Sequence, residues 1–137
     1  MSDKKVILVV DDDVDILEQT KILVENAGFS VVTAESSNEG WLKFQEIKPY
    51  ACVLDLMMEE YDSGFILSHK IKKDAHGKTI PVFLVTSVAN ATGLRFDATT
   101  EDEKNWIKAD AIMNKPVVID DLISKIDEFY EKADAVK

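Results

Sequence analysis

The sequence predicts an α/β fold of three layers: a doubly wound, five-stranded parallel sheet with helices on both faces. Two observations carry this expectation. Short apolar runs rich in β-branched residues alternate with stretches of helical periodicity along the chain. The apolar runs are continuous rather than alternating, the pattern of strands buried on both faces. Strands and helices in strict succession build a parallel sheet with right-handed crossovers.

The elements follow in order. Val6–Val10 is the first strand, with three valines in five residues. A helix from about Val14 to Ala27 comes next, with Ile16, Leu17, Thr20, Leu23, Val24 and Ala27 at the spacing of one inner face. Gly28 stands where helices commonly end. Phe29–Thr33 is the second strand. Ser36 and Glu39 have the spacing of a capping box for a second helix, lined by Gly40, Trp41, Phe44 and Ile47 and ended by Pro49. Ala51–Leu54 is the third strand and runs straight into Asp55. Asp62, Ser63 and Gly64 open a third helix that carries Phe65, Ile66, Leu67 and Ile71. A polar turn from Asp74 to Thr79 leads to the fourth strand, Pro81–Val85, which ends at Thr86 and Ser87.

The rhythm then breaks. Residues 89–100 have little apolar periodicity, and only Glu101–Lys108 reads as helical, so the region after the fourth strand is expected to be a long loop with a short or irregular helix. Ala111–Met113 is a short fifth strand before Asn114, Lys115 and Pro116. The last helix begins near Ile119 and places Leu122, Ile123, Ile126, Phe129, Tyr130 and Ala133 at three-to-four spacing.

A chain of 137 residues is the size of one domain, so residues 1–137 are expected to form a single unit with its core at about 5–133 and no second output domain. The net charge of −10 argues against direct nucleic-acid binding, which needs a basic surface, and favours protein partners or divalent cations. Cys52 is the single cysteine and lies in an apolar strand. It is expected to be a buried hydrophobe, and a chain without an internal disulfide fits a reducing compartment. The first apolar run is too short for a signal peptide, and no stretch reaches the roughly 20 apolar residues of a membrane span. A cytoplasmic protein with no membrane insertion is the expectation.

In open parallel sheets the ligand site lies outside the carboxyl ends of the strands. Four of the five strands end in reactive residues: Asp11, Asp12 and Asp13; Asp55; Thr86 and Ser87; and Lys115. Clustered carboxylates repel one another and call for a hard cation, and Mg²⁺ (or Mn²⁺) is the one usually held by one or two carboxylates together with phosphate oxygens. Lys115 can pair with Asp55 at rest and with a phosphoryl oxygen after reaction, and Thr86 can donate to another. These are the parts of phosphoryl transfer: a nucleophile, a metal and a cationic clamp. Singly, each has a bland reading, as a helix N-terminus, a turn residue or a cap; the four in order, each at a strand end, do not.

The motifs Val-Val-Asp11-Asp12-Asp13, Val-Leu-Asp55-Leu-Met-Met, Val-Thr86-Ser87 and Asn-Lys115-Pro116 together resemble the receiver domains of two-component response regulators, over essentially the whole chain. The resemblance implies a (βα)5 flavodoxin-like fold. It implies that Asp55 accepts the phosphoryl group from a phosphohistidine on a sensor histidine kinase or histidine phosphotransfer protein. Asp12 would ligate the metal directly and Asp11 partly through water. Asp55 and the backbone carbonyl of Met57 would supply further ligands. Thr86 would be the switch hydroxyl and Lys115 the phosphate-binding lysine. Catalysis would be confined to the domain's own phosphorylation and slow dephosphorylation, and output would go through an unidentified protein target.

Two departures from the family pattern stand out. Glu59 occupies the place of a usual proline, in a loop about one residue longer. Ile112 stands three positions before Lys115, where an aromatic often takes part in the switch. The irregular segment 89–108 is a candidate output surface, with Phe96 or Trp106 as its apolar contact. Rival readings are weaker. Asp11-Asp12-Asp13-Val14 fits the nucleophile motif of haloacid dehalogenase-type phosphohydrolases, with Asp11 as nucleophile, but Asp55 would then have no task. A calcium loop at Asp11, Asp13 and Asp15 fails because Ile16 takes the glycine position and Ile22 that of the bidentate acid. A pseudo-receiver, a binding module with the fold but without the chemistry, is at odds with the intact acid, threonine and lysine set. His69 and His76 read as ordinary helix and turn residues.

Overall fold

Five strands and four helices are described in a computed structural model that covers residues 5–56, 63–86, 111–115 and 117–135. In chain order they are β1 (Val6–Val10), α1 (Val14–Asn26), β2 (Ser30–Ala34), α2 (Ser37–Ile47), β3 (Ala51–Asp55), α3 (Ser63–Lys73), β4 (Val82–Thr86), β5 (Ala111–Asn114) and α4 (Ile119–Ala135), with a 3₁₀ turn at Gly77–Thr79. Each strand lies within one residue of its expected bounds. Phe29 and Pro81 precede their strands rather than opening them, as suits a proline that cannot donate to a ladder.

The sheet is parallel throughout, in the order β2-β1-β3-β4-β5. The chain steps from β1 outward to β2 and then crosses back to β3 on the other side of β1. That reversal puts the carboxyl ends of β1 and β3 beside one another at the point where such sheets bind ligands.

Strand parity sorts the core into two layers. Leu8, Val10, Cys52, Leu54, Val82 and Leu84 face α2 and α3 and pack with Phe44, Leu67 and Ile71. Ile7, Val9, Val53, Phe83, Val85 and Met113 face the other way and pack with Leu17 and Val24 of α1 and Leu122 and Ile126 of α4. The same parity decides where strand-end side chains go. Asp11, Asp55 and Lys115 share the parity of Val9, Val53 and Met113, and Thr86 shares that of Leu84. Cys52 is fully buried, as expected, and burial pushes its thiol pKa well up.

The helix ends rest on local chemistry. Asp13 caps α1, its carboxylate accepting from the backbone N–H groups of Asp15 and Ile16. At the other end Gly28 has φ +102°; its N–H bonds the Glu25 carbonyl and that of Phe29 the Val24 carbonyl, the paired bonds of a Schellman ending. Ser36 caps α2 by accepting from Glu39 N. The reciprocal half of the expected capping box is displaced by one residue: the Glu39 carboxylate accepts from Glu35 N at 2.6 Å, which holds its pKa below the usual value. Asp74 accepts from His76 N and Gly77 N in the turn after α3.

Two expected inner-face residues of α1 lie outward, and so does one apolar residue of α3. Leu23 is 40% and Ile66 50% exposed, and Ala27 is exposed at the helix end. An apolar stripe wider than the contact it makes leaves its margins in solvent, and Leu17, Thr20 and Val24 are the residues of α1 that reach the sheet. The expectations for 87–110, including Ser87, Phe96 and Trp106, lie outside the described residues, as do those for Met57, Glu59, Asp62 and Pro116.

Candidate functional site

Asp11 and Asp12 follow β1, Asp55 is the last residue of β3, Thr86 the last of β4, and Lys115 follows β5. The sheet therefore delivers all five to one edge. Asp11, Asp55 and Thr86 are buried, at 4%, 6% and 3% exposure, while Asp12 is exposed. One carboxylate oxygen from each of Asp11, Asp12 and Asp55 lies within 4.8 Å of the others. Oxygen donors gathered this closely suit a hard divalent cation.

Lys115 lies between the two buried acids. Its Nζ is 2.9 Å from Asp11 Oδ2 and 3.1 Å from Asp55 Oδ1. The pairing with Asp55 was legible in the sequence; the shorter one with Asp11 was not. Parity explains it, since Asp11 and Asp55 leave adjacent parallel strands on the same face and one ammonium spans both. Asp11 is held at its other oxygen too, where Oδ1 accepts from Asp13 N at 2.9 Å.

The charges do not balance. Among the described residues the two buried carboxylates, Asp11 and Asp55, share one ammonium, and Asp12 brings a third acid to the same edge. Asp55 responds most: burial, and then the neighbouring Asp11 charge, push its pKa up to about 6 against the opposing pull of Lys115. Burial alone would lower Lys115, but its hydrogen bond with Asp11 and the charges of Asp11 and Asp55 raise it overall, so the lysine stays charged. The site is thus short of positive charge, the electrostatic condition that a divalent cation relieves.

Backbone contacts fix the frame. Leu56 N donates to Val85 O and Lys115 N to Thr86 O, both at 2.8 Å, so the ends of β3, β4 and β5 are tied in sequence. Gly64, near the start of α3, donates to Leu56 O at 2.8 Å. A Cβ placed on it would lie 2.4 Å from the backbone oxygen of Asp55 and 2.6 Å from Leu56 Cα. Only glycine lets α3 come this close to the backbone carrying Asp55, a role that spacing alone did not reveal. Ile112, at the place of the usual aromatic, packs half-buried against the α2–α3 layer, on the face of the sheet that carries Leu84 and Thr86. His76 holds the Pro49 carbonyl through Nε2 at 2.8 Å, and His69 lies within α3; neither belongs to the site.

A fold and an edge of this kind define an acid-pocket signalling domain. A family profile described as the response regulator receiver domain matches residues 7–127. The chain belongs to that family, the receiver domains of two-component phosphorelay signalling. It is 33% identical over 127 residues to the transcriptional regulatory protein GlrR of Escherichia coli, a match covering 93% of this chain and 26% of that protein. A receiver domain protein of Clostridium thermocellum superposes with a TM-score of 0.76 at 26% identity, covering 97% of this chain and 99% of that one. A CheY-like receiver domain protein of Methanospirillum hungatei gives 0.74 at 28% identity, covering 98% and 99%. The chain spans between 17% and about half of the length of the first curated relatives it matches. Among the described residues no helix is long and apolar enough to cross a membrane.

Proposed function

We propose that Asp55 is the phosphoryl acceptor of this receiver domain. The observation that carries the reading is the cluster of Asp11, Asp12 and Asp55 at one sheet edge, with Lys115 bonded to both Asp11 and Asp55. Asp11, Asp12 and Asp55 would hold Mg²⁺ (or Mn²⁺), with the Met57 carbonyl, outside the described residues, as a further ligand. When bound, the metal would neutralise charge on the phosphoryl oxygens.

The chain's own residues do the rest. Asp55 Oδ attacks phosphorus while Lys115, already charged and within reach, turns from the carboxylates to a phosphoryl oxygen. Thr86, at the next strand end, donates to another. Asp11 is a poorer nucleophile, because both its oxygens are engaged by Lys115 and Asp13 N. This weighs against the phosphohydrolase reading in which Asp11 is the nucleophile.

The donor would be a phosphohistidine on a sensor histidine kinase or histidine phosphotransfer protein. Residues 1–137 would act as one domain with its core at about 5–133. It would catalyse only its own phosphorylation and slow dephosphorylation, in the cytoplasm, and pass the signal to a protein target rather than to nucleic acid.

Incubation with acetyl phosphate and Mg²⁺, followed by intact mass, tests the reading. One phosphate is expected on the wild type and none on Asp55→Asn. Equal labelling of both proteins would overturn it, and labelling lost only in Asp11→Asn would restore the rival nucleophile.

A further inference from the structure

The charges of this chain are unevenly placed. In a sequence of net charge −10, α3 holds three lysines and no acid, whereas α1 holds three acids and one lysine. Helical spacing puts Ile66, Lys70 and Lys73 on one outer face of α3. The Lys70 Nζ lies 5.6 Å from the centre of the Trp41 ring, so this face continues onto α2, where Leu42 follows the half-buried Trp41. On α1 the same spacing lines up Val14, Glu18, Ile22 and Glu25, away from the buried Leu17, Thr20 and Val24. Ile66 and Leu42 on one stripe, and Val14 and Ile22 on the other, are each at least half exposed. Among the described residues Glu18, Glu25 and Lys73 take part in no ion pair. An exposed aliphatic standing singly is ordinary. Here each pair is set among charges of one sign, and the two signs are opposite.

We propose that the α2–α3 stripe docks the α1 stripe of a second copy of this chain. Aliphatic residues meet aliphatic residues, and Lys70 and Lys73 face Glu18 and Glu25. The topology dictates the form of the contact. α1 belongs to one core layer and α2 and α3 to the other, so the two stripes lie on opposite sides of the sheet. A rigid molecule cannot turn both sides to the same neighbour, which rules out a closed two-fold pair built from these stripes. The contact is head-to-tail, each copy keeps one stripe unused, and copies add in a row. Repulsion between two chains of net charge −10 opposes association. At roughly 0.15 M salt that repulsion is screened beyond about 8 Å, while charges in direct contact are screened less. The association is therefore weak and set by concentration.

Sedimentation of the full chain from about 10 µM to about 1 mM brackets a contact of this strength. The mean mass is expected to rise with concentration and to pass that of a dimer. Ile66→Ser breaks one stripe and Ile22→Ser the other, both without changing net charge. Both positions are half exposed, so the melts of the two variants should match the wild type. Each variant alone should associate about tenfold more weakly. Mixed in equal amounts, they should recover the wild-type affinity and stop at the dimer, because the intact α1 stripe of one meets the intact α2–α3 stripe of the other. Glu18→Lys should also weaken association about tenfold, although it lowers the net charge, because it sets an ammonium against Lys70 and Lys73. A wild-type mass that stays at the monomer across the range would overturn the proposal. So would a wild type that stops at the dimer, a mixture no stronger than its components, or Glu18→Lys chains that associate as well as wild type.

Discussion

The two edges of the sheet are built on opposite principles. At the amino-terminal edge, aromatic rings and backbone carbonyls are paired. Tyr50 stacks on Tyr130 with ring centroids 4.3 Å apart, Phe29 packs beyond it at 6.5 Å, and Lys5 sits 4.9 Å over the Tyr50 ring. The Tyr130 hydroxyl donates to the Tyr50 carbonyl at 2.6 Å, and His76 holds the neighbouring Pro49 carbonyl. At the carboxyl edge, buried acids outnumber the ammonium that serves them. One edge is closed by satisfied contacts and stabilises the fold. The other keeps an unfavourable charge imbalance that a bound cation would relieve. Stability and chemistry are thereby separated by the length of a strand.

The largest expected effect breaks the reactive edge alone. Lys115→Ala should slow Asp55 labelling by about 10²-fold, the scale of losing one charge-stabilising group, and in chelator should also lower the unfolding midpoint, because Asp11 and Asp55 lose the ammonium between them; intact-mass kinetics and thermal melts measure the two together. Gly64→Ala tests a position that belongs to both purposes. Its Cβ would meet the Asp55 carbonyl, so it should cost about 1–3 kcal/mol in denaturant melts and slow labelling as well. A variant that lost stability with labelling intact would show that α3 can retreat without moving Asp55.

The opposite edge should respond in stability only. Tyr130→Phe removes the donor to Tyr50 O while keeping the stacked ring, and should lower unfolding free energy by about 1 kcal/mol with the labelling rate unchanged. The smallest effect sharpens the contrast by its sign. In chelator, Asp55→Asn should stabilise the protein at pH 7 by about 1 kcal/mol, or ~3–5 °C, because it relieves carboxylate repulsion. Asp55 has a folded pKa of about 6, above its ordinary value of 3.8. Its contribution is therefore most favourable below pH ~4 and is lost as pH rises through ~6, so the gap between variant and wild type should open over that window. A gap independent of pH would argue that the imbalance lies elsewhere.

The architecture was legible because buried strands and amphipathic helices write different periods, and their alternation leaves few topologies. Asp55 and Lys115 were legible for a related reason: a polar residue directly after a continuous apolar run, or one position beyond it, marks the sheet edge. What spacing could not reveal depends on distance in three dimensions. The Tyr50–Tyr130 pair joins residues 80 apart in the chain. The second bond of Lys115, to Asp11, follows from the order in which strands pair, which no local pattern encodes. Gly64 read as a helix opener, and its contact with Asp55 emerges only when α3 is laid against β3. Leu23 and Ile66 fitted the helical period, but a period gives the direction of a stripe and not its margins.

The anchoring of α4 has a mechanical consequence. Tyr130 pins the helix near its end to the base of β3, while Lys115, four residues before its first turn, is tied to the charges at the top of β1 and β3. From Ile119 to Tyr130 is about 16 Å along the axis. A rod fixed at one end and pulled at the other rotates rather than slides. A shift of ~1 Å at the lysine end would tilt α4 by only a few degrees about a fulcrum at Tyr50, with its greatest travel at Ile119 and Leu122 and almost none at the hinge.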